Sequence, residues 1–201
     1  TSTNANLNGV SYHTPDYSKA NGTSTIDFPM HWAFKDASSA FGAAKSEDSL
    51  YNDATWAVTY VDSHDYGPDG QEKTRYQGGA SAWAENMDLM FTFRGIPCIY
   101  YGSEIEFKKD VPIDVGPNAP LDKTGRAYFG DHLEGSVTAS DYGKYTASGT
   151  VASTLDAPLS KHLEKLNQIR RAVPALQKGQ YTTDSNYVSG NMAYIRRYTN
   201  S

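Results

Sequence analysis

Apolar and polar positions along the chain follow two rhythms in alternation. Short runs of β-forming residues, Ser24–Phe28, Trp56–Val61 and Cys98–Tyr101, are separated by segments with helical spacing. After the first run, Ala33, Phe34, Ala37 and Phe41 predict a helix over His31–Phe41, entered past Pro29. Trp83, Met87, Met90 and Phe91 share one face of a second predicted helix, Ala80–Phe93. Gly95 stands where a helix-ending glycine belongs, and Pro97 forbids continuation. Leu159, Leu163, Leu166, Ile169 and Val173 mark a third helix over Pro158–Leu176, with Asp156 as its cap and Pro174 near its end. Apolar strands alternating with amphipathic helices predict a parallel sheet whose outer face the helices cover. Such folds gather their functional groups beyond the carboxyl ends of the strands.

The remaining segments lack a sustained period. Residues 1–22 are polar and irregular, and Lys108–Ala157 is rich in Gly, Asp, Pro, Ser and Thr. A stretch of that length is expected to be functional surface or to dock on a partner. The tail, Gln180–Ser201, carries β-like pieces such as Met192–Tyr198 and reads as the opening of a following β domain. Three strand–helix units do not close a barrel, so the chain is expected to be part of a larger fold with raw sheet edges.

Composition narrows the class. Eighteen Lys and Arg against 23 Asp and Glu leave a net charge of −5, which excludes a polycation built to grip nucleic acid. No apolar run approaches the roughly 20 residues that cross a bilayer, so neither nucleic acid nor membrane is an expected partner. Fifteen Tyr, 7 Phe and 3 Trp supply enough surface for a packed core, against disorder. The single cysteine, Cys98, excludes an intrachain disulfide framework and any multi-cysteine metal site, and its apolar strand setting predicts a buried, inert thiol beside Ile96 and Ile99. The surplus of Tyr, Gly, Ser, Thr and Asn suits a secreted protein that handles sugars.

The sharpest chemistry lies in Tyr60-Val-Asp-Ser-His-Asp65. Adjacent His64 and Asp65 leave a predicted strand into a Gly/Pro turn, where an imidazole can donate to one sugar hydroxyl and a carboxylate accept from the next. The competing reading is a structural histidine capping that turn. A second segment, Gly95-Ile-Pro-Cys-Ile-Tyr-Tyr-Gly-Ser-Glu104, ends with Tyr101 and Glu104 past the last strand. Asp122 and Arg126 in the loop beyond it are candidate sugar contacts, a surface ion pair being the alternative. Trp32, Tyr66 and Tyr101 offer rings for stacking or for the core. His13, His31, His132 and His162 have no partner at ligand spacing, and Asp62, Asp69 and Gly70 echo a calcium loop without its spacing, so no metal site is expected in the chain.

Together these segments resemble the α-amylase family, glycoside hydrolase family 13. Tyr60–Asp65 is similar to the family's F-V-x-N-H-D motif at the seventh barrel strand, with Ser63 in place of the usual Asn. Gly95–Glu104 is similar to G-I-P-x-I-Y-Y-G-x-E at the eighth, and Ile26-Asp-Phe-Pro29 to the sixth-strand segment. The resemblance covers roughly residues 24–175. It implies an α/β fold: the C-terminal part of a (β/α)8 TIM barrel, strands six to eight, over residues 1–177, then the start of an all-β sandwich domain over 178–201.

The resemblance further implies retaining hydrolysis of internal α-1,4 bonds in starch and maltooligosaccharides by three carboxylates. Of these it assigns only the transition-state stabiliser, Asp65, to this chain, with His64 as a neighbouring donor and Asp122, Arg126, Tyr66 and Tyr101 as substrate contacts. The nucleophile and the acid/base belong to motifs not found here, so the chain alone is expected to be inactive and to partner the N-terminal half of the same enzyme. The Ser63 departure is expected to alter a local hydrogen bond rather than the reaction. Calcium is implied for the parent enzyme, its ligands mostly outside this chain, as is an extracellular location. A cyclodextrin glucanotransferase, a maltogenic amylase and a non-catalytic starch-binding segment are the rival readings.

Overall fold

The computed structural model describes residues 23–127 and 154–198, together with the backbone of a small antiparallel pair, β1 (Asn6–Leu7) and β2 (Val10–Ser11). The other expectations for residues 1–22, 128–153 and 199–201, including His13 and His132, lie outside the described residues.

Three parallel segments form the expected sheet, each shorter than β propensity suggested. Strand β3 (Val58–Thr59) pairs in parallel with β4 (Ile96–Pro97) on one side and bridges Ile26 on the other. Asp27 N donates to the Val58 carbonyl at 2.9 Å, and Ile96 N and Cys98 N donate to Ala57 and Thr59 at 2.8 Å each. The polypeptide leaves strand geometry as soon as this ladder ends. The expected strand Cys98–Tyr101 does not form: β4 lies just ahead of it at Ile96–Pro97, and residues 98–101 pass into a loop and turn.

The first predicted helix is two. Asp27 caps α1 (Phe28–Ala33) by accepting from Met30 N, with Pro29 tolerated in the first turn, where its missing N–H is not needed. Asp36 then starts α2 (Ala37–Ser46) afresh, taking the Ser39 amide at 2.7 Å and its hydroxyl at 2.9 Å. Phe34, Ala37 and Phe41 face one core across the break, which is why the apolar stripe ran through it.

The predicted second helix forms as α3 (Ala80–Thr92), burying Trp83, Met87, Met90 and Phe91. Gly95 has φ 83°, and a Cβ there would lie 2.6 Å from the Ala57 carbonyl, so glycine is required where the chain enters β4. The third helix, α4 (Pro158–Ala172), buries Leu159 and Leu166. Its cap position is Ala157, and Asp156 pairs with Lys161 at 3.0 Å instead of capping. Pro174 stops its continuation and opens α5 (Pro174–Lys178), and Ile169 and Val173 are partly exposed.

Helices α1 to α4 cover one face of the sheet, and Arg94 welds the layers. Wholly buried, it binds Asp27 and Asp48 at 2.8 Å each and the Ala44 carbonyl at 2.8 Å. The opposite face is bare among the described residues: Ile26 is 46% and Ile96 41% exposed, and Cys98 is exposed too. Burial of Ile96 and Cys98, expected from their apolar run, therefore does not occur among the described residues. Their side chains share the sheet face away from the helices. Beyond α5, β5 (Gln180–Tyr181) and β6 (Arg196–Arg197) pair antiparallel, and Tyr181, Val188 and Tyr194 pack on the same core.

Candidate active site

The carboxyl ends of β3 and β4 and the segment 111–127 meet on one side of the sheet. Past β3, Tyr60, Val61 and Asp62 are buried and the chain then surfaces at Ser63. Ser63 Oγ accepts from Asp65 N at 3.0 Å and Tyr66 N at 3.1 Å, a local turn that presents His64 and Asp65 outward. Their side chains are 67% and 52% exposed, with His64 Nε2 3.2 Å from Asp65 Oδ2. The turn-capping role therefore falls to Ser63, and the His64 ring stands exposed beside Asp65.

Arg126 closes the cluster. Its Nε donates to the His64 carbonyl at 2.6 Å, one terminal nitrogen lies 3.4 Å from Asp65 Oδ1, and the other lies 3.3 Å from Asp114 Oδ2. The ion pair considered for Arg126 is thus made with Asp65 and Asp114, not with Asp122. Asp122 stands on the turn Leu121–Lys123, exposed and paired with Lys123 at 3.2 Å, away from the cluster. Asp114, Thr124 and Arg126 supply the polar lining of an open hollow of about 390 Å³ floored by Ile113, Pro117 and Leu121.

The aromatic candidates divide. Tyr66, 46% exposed, lies with its ring 5.5 Å from that of Trp32, which stacks on the exposed ring of Phe28. Tyr101 donates from its hydroxyl to the Ala127 carbonyl at 3.1 Å, so it braces the 121–127 segment while keeping part of its ring open. His31 is a core residue. It is stacked on Tyr60 at 4.1 Å, and burial pushes its imidazole down to about 4 against the opposing pull of Val61, Tyr60 and Asp62. Burial likewise raises the Tyr60 hydroxyl to about 12 and lifts the Glu104 carboxyl above its usual range.

Beneath the cluster lies a pair that sequence reasoning missed. Asp62, taken above for a faint calcium-loop echo, gives both oxygens away: Oδ2 to Arg75 Nε at 2.7 Å and Oδ1 to the Ser103 hydroxyl at 2.7 Å. Arg75 sits in a polar turn-rich segment with no periodicity, so only its partners reveal it. Among the described residues no group of three or more His, Cys, Asp or Glu side chains converges to hold a cation. With Asp62 spent on Arg75, the described residues do not fit the implied calcium, whose ligands are expected mostly outside this chain.

Parallel strands topped by an exposed carboxylate, a histidine and an arginine define an α/β architecture with a polar site at its strand ends. No family model matches the chain. It is 28% identical over 176 residues to an α-amylase of Streptomyces lividans, an alignment covering 79% of this chain and 18% of that protein. Its fold is similar to the α-amylase of Geobacillus thermoleovorans solved with acarbose (TM-score 0.52, 18% identity, 87% of this chain and 34% of that one). It is also similar to a cyclomaltodextrin glucanotransferase with a three-domain ABC distribution (TM-score 0.51, 19% identity, 83% and 29%). An Anoxybacillus α-amylase gives a TM-score of 0.51 at 19% identity, over 87% of this chain and 33% of that one. The resemblance read from the motifs is thus to the family these relatives represent, the α-amylase family. The chain spans about 18% of the curated relative's length and about a third of each of the two α-amylase structures. Among the described residues no helix is long and apolar enough to cross a membrane.

Proposed function

We propose that this chain supplies the ends of strands six to eight to the active site of a retaining α-glucan hydrolase of the α-amylase type. The observation that carries the reading is the His64–Asp65 pair, presented outward at the end of β3 and held there by Arg126. Retaining hydrolysis needs a nucleophile and an acid/base about 5 Å apart across the scissile bond. Both are assigned to parts of the protein outside this chain, which leaves Asp65 a different task. As the glycosidic bond breaks, the sugar ring flattens and its anomeric carbon becomes positive. A carboxylate accepting from the ring's hydroxyls binds that state more tightly than the relaxed sugar. Arg126 engages Oδ1 of Asp65, which fixes its rotamer, and Oδ2 faces His64. The imidazole donates to a neighbouring hydroxyl of the same sugar.

The hollow beside Arg126 extends this surface for a further glucose unit, with Asp114 rather than Asp122 as its carboxylate. Calcium, a secreted location and a β domain opening at residue 178 remain part of the same proposal for the whole protein. The likeness to a cyclomaltodextrin glucanotransferase supports a transferase as the second reading. Product analysis of the full-length protein on soluble starch separates the two: linear maltooligosaccharides support the hydrolase and cyclic dextrins the transferase. Reducing-sugar release by purified, monodisperse residues 1–201 alone overturns the assignment of the missing carboxylates.

A further inference from the structure

We infer that Arg75 is the positioning residue that sets the His64–Asp65 turn against Arg126; this rests on the reading of those groups as glucan contacts. An arginine is almost never fully buried unless its donors are paired. Arg75 is 1% exposed, and its planar fork reaches acceptors on three separate segments. Nε donates to Asp62 Oδ2 at 2.7 Å, at the end of β3 and three residues before Asp65. One terminal nitrogen donates to the Gly125 carbonyl at 3.1 Å, one residue before Arg126. The other donates to the Tyr101 carbonyl at 3.1 Å and the Ser103 hydroxyl at 2.9 Å, in the turn after β4.

The packing leaves little slack around these bonds. The Tyr100 ring lies over the guanidinium at 4.4 Å. Gly125 is pressed so closely on Arg75 that a Cβ there would meet its Cγ at 2.8 Å and the Ile113 backbone at 3.1 Å. Tyr101 adds a second tie, since its hydroxyl bonds the Ala127 carbonyl on the far side of Arg126. The segment bearing Arg126 is therefore clamped on both sides, and the clamp is referenced to the same Asp62 that leads into His64 and Asp65. Lysine keeps the charge beside Asp62 but presents its donors from a single point and cannot span the three segments.

The experiment compares full-length wild type, Arg75→Lys, Arg126→Gln and the double variant on soluble starch. If Arg75 acts through Arg126, kcat of Arg75→Lys falls by about ten- to a hundredfold with KM little changed. The double variant is then no worse than the more damaging single one. Losses that multiply in the double variant overturn the inference, as does an Arg75→Lys enzyme with normal kcat. Should Arg75→Lys fail to fold, Ser103→Ala takes its place: a smaller kcat loss that Ser103→Thr restores supports the inference, and no loss contradicts it. Should wild type act on no α-glucan, the proposed function fails by itself. Hydrogen exchange of the peptide spanning 121–127 then decides: faster exchange in the variant, with α3 unchanged, supports the clamp, and unchanged exchange overturns it.

Discussion

Arg126 donates from Nε to the backbone carbonyl of His64 at 2.6 Å across 62 residues of sequence. The bond joins the loop after β3 to the loop after β4, and the same guanidinium then reaches Asp65 and Asp114. A side chain a third open to solvent, paired with carboxylates more exposed still, contributes little to stability through such pairs. Its effect is geometric: it fixes the direction in which an exposed carboxylate points.

His31 makes stability depend on pH. The folded imidazole titrates at about 4 and the unfolded one at 6.5, so unfolding takes up a proton anywhere between. Stability is therefore complete above 6.5 and falls as pH is lowered through that window, by about 3 kcal/mol in all. Thermal unfolding midpoints of full-length protein from pH 7 to 4 should show this decline, and His31→Phe should flatten it. An equal slope in the variant assigns the effect elsewhere.

Arg94→Met should destabilise by about 3–5 kcal/mol, because it strands Asp27 and Asp48 without their cation. Both carboxylates sit against the guanidinium at 2.8 Å, and Asp27 is wholly buried. Denaturant titration measures the loss, and a change under about 1 kcal/mol removes Arg94 from the role of layer weld.

Cys98 reports on the bare sheet face. In isolated residues 1–201 its exposed thiol should react readily with a maleimide, and the chain should associate through Ile26, Ile96 and its open sheet edge. In full-length protein, where further barrel strands are proposed to cover that face, labelling should be slow. Equal labelling rates contradict that cover.

The helix Ala80–Thr92 was legible because one stripe, Trp83 to Phe91, coincides with one element and a glycine stop follows it. The α1–α2 break was not, because a local event, Asp36 taking the Ser39 amide, interrupts a stripe that both helices continue. Strand lengths were overread for a different reason. β propensity runs from Trp56 to Val61, whereas strand pairing reaches only Val58 and Thr59, and on both sides only Val58. The apolar run at Ile96–Ile99 encodes burial on two faces, and the described residues cover only one. In the site, His64 and Asp65 stood out as adjacent polar residues after an apolar run. Arg75 and Asp114 did not, since their meaning lies in partners 13 to 50 residues away for Arg75 and in a hollow for Asp114.

The most direct measurement is kcat and KM of full-length Asp65→Asn on soluble starch beside wild type. The amide keeps the shape and removes the negative charge that develops its value as the ring flattens. By comparison with about 3 kcal/mol for one lost stabilising donor, kcat should fall a hundredfold or more, with KM changed only slightly. Turnover within a few-fold of wild type contradicts the account, because it removes Asp65 from the reacting sugar.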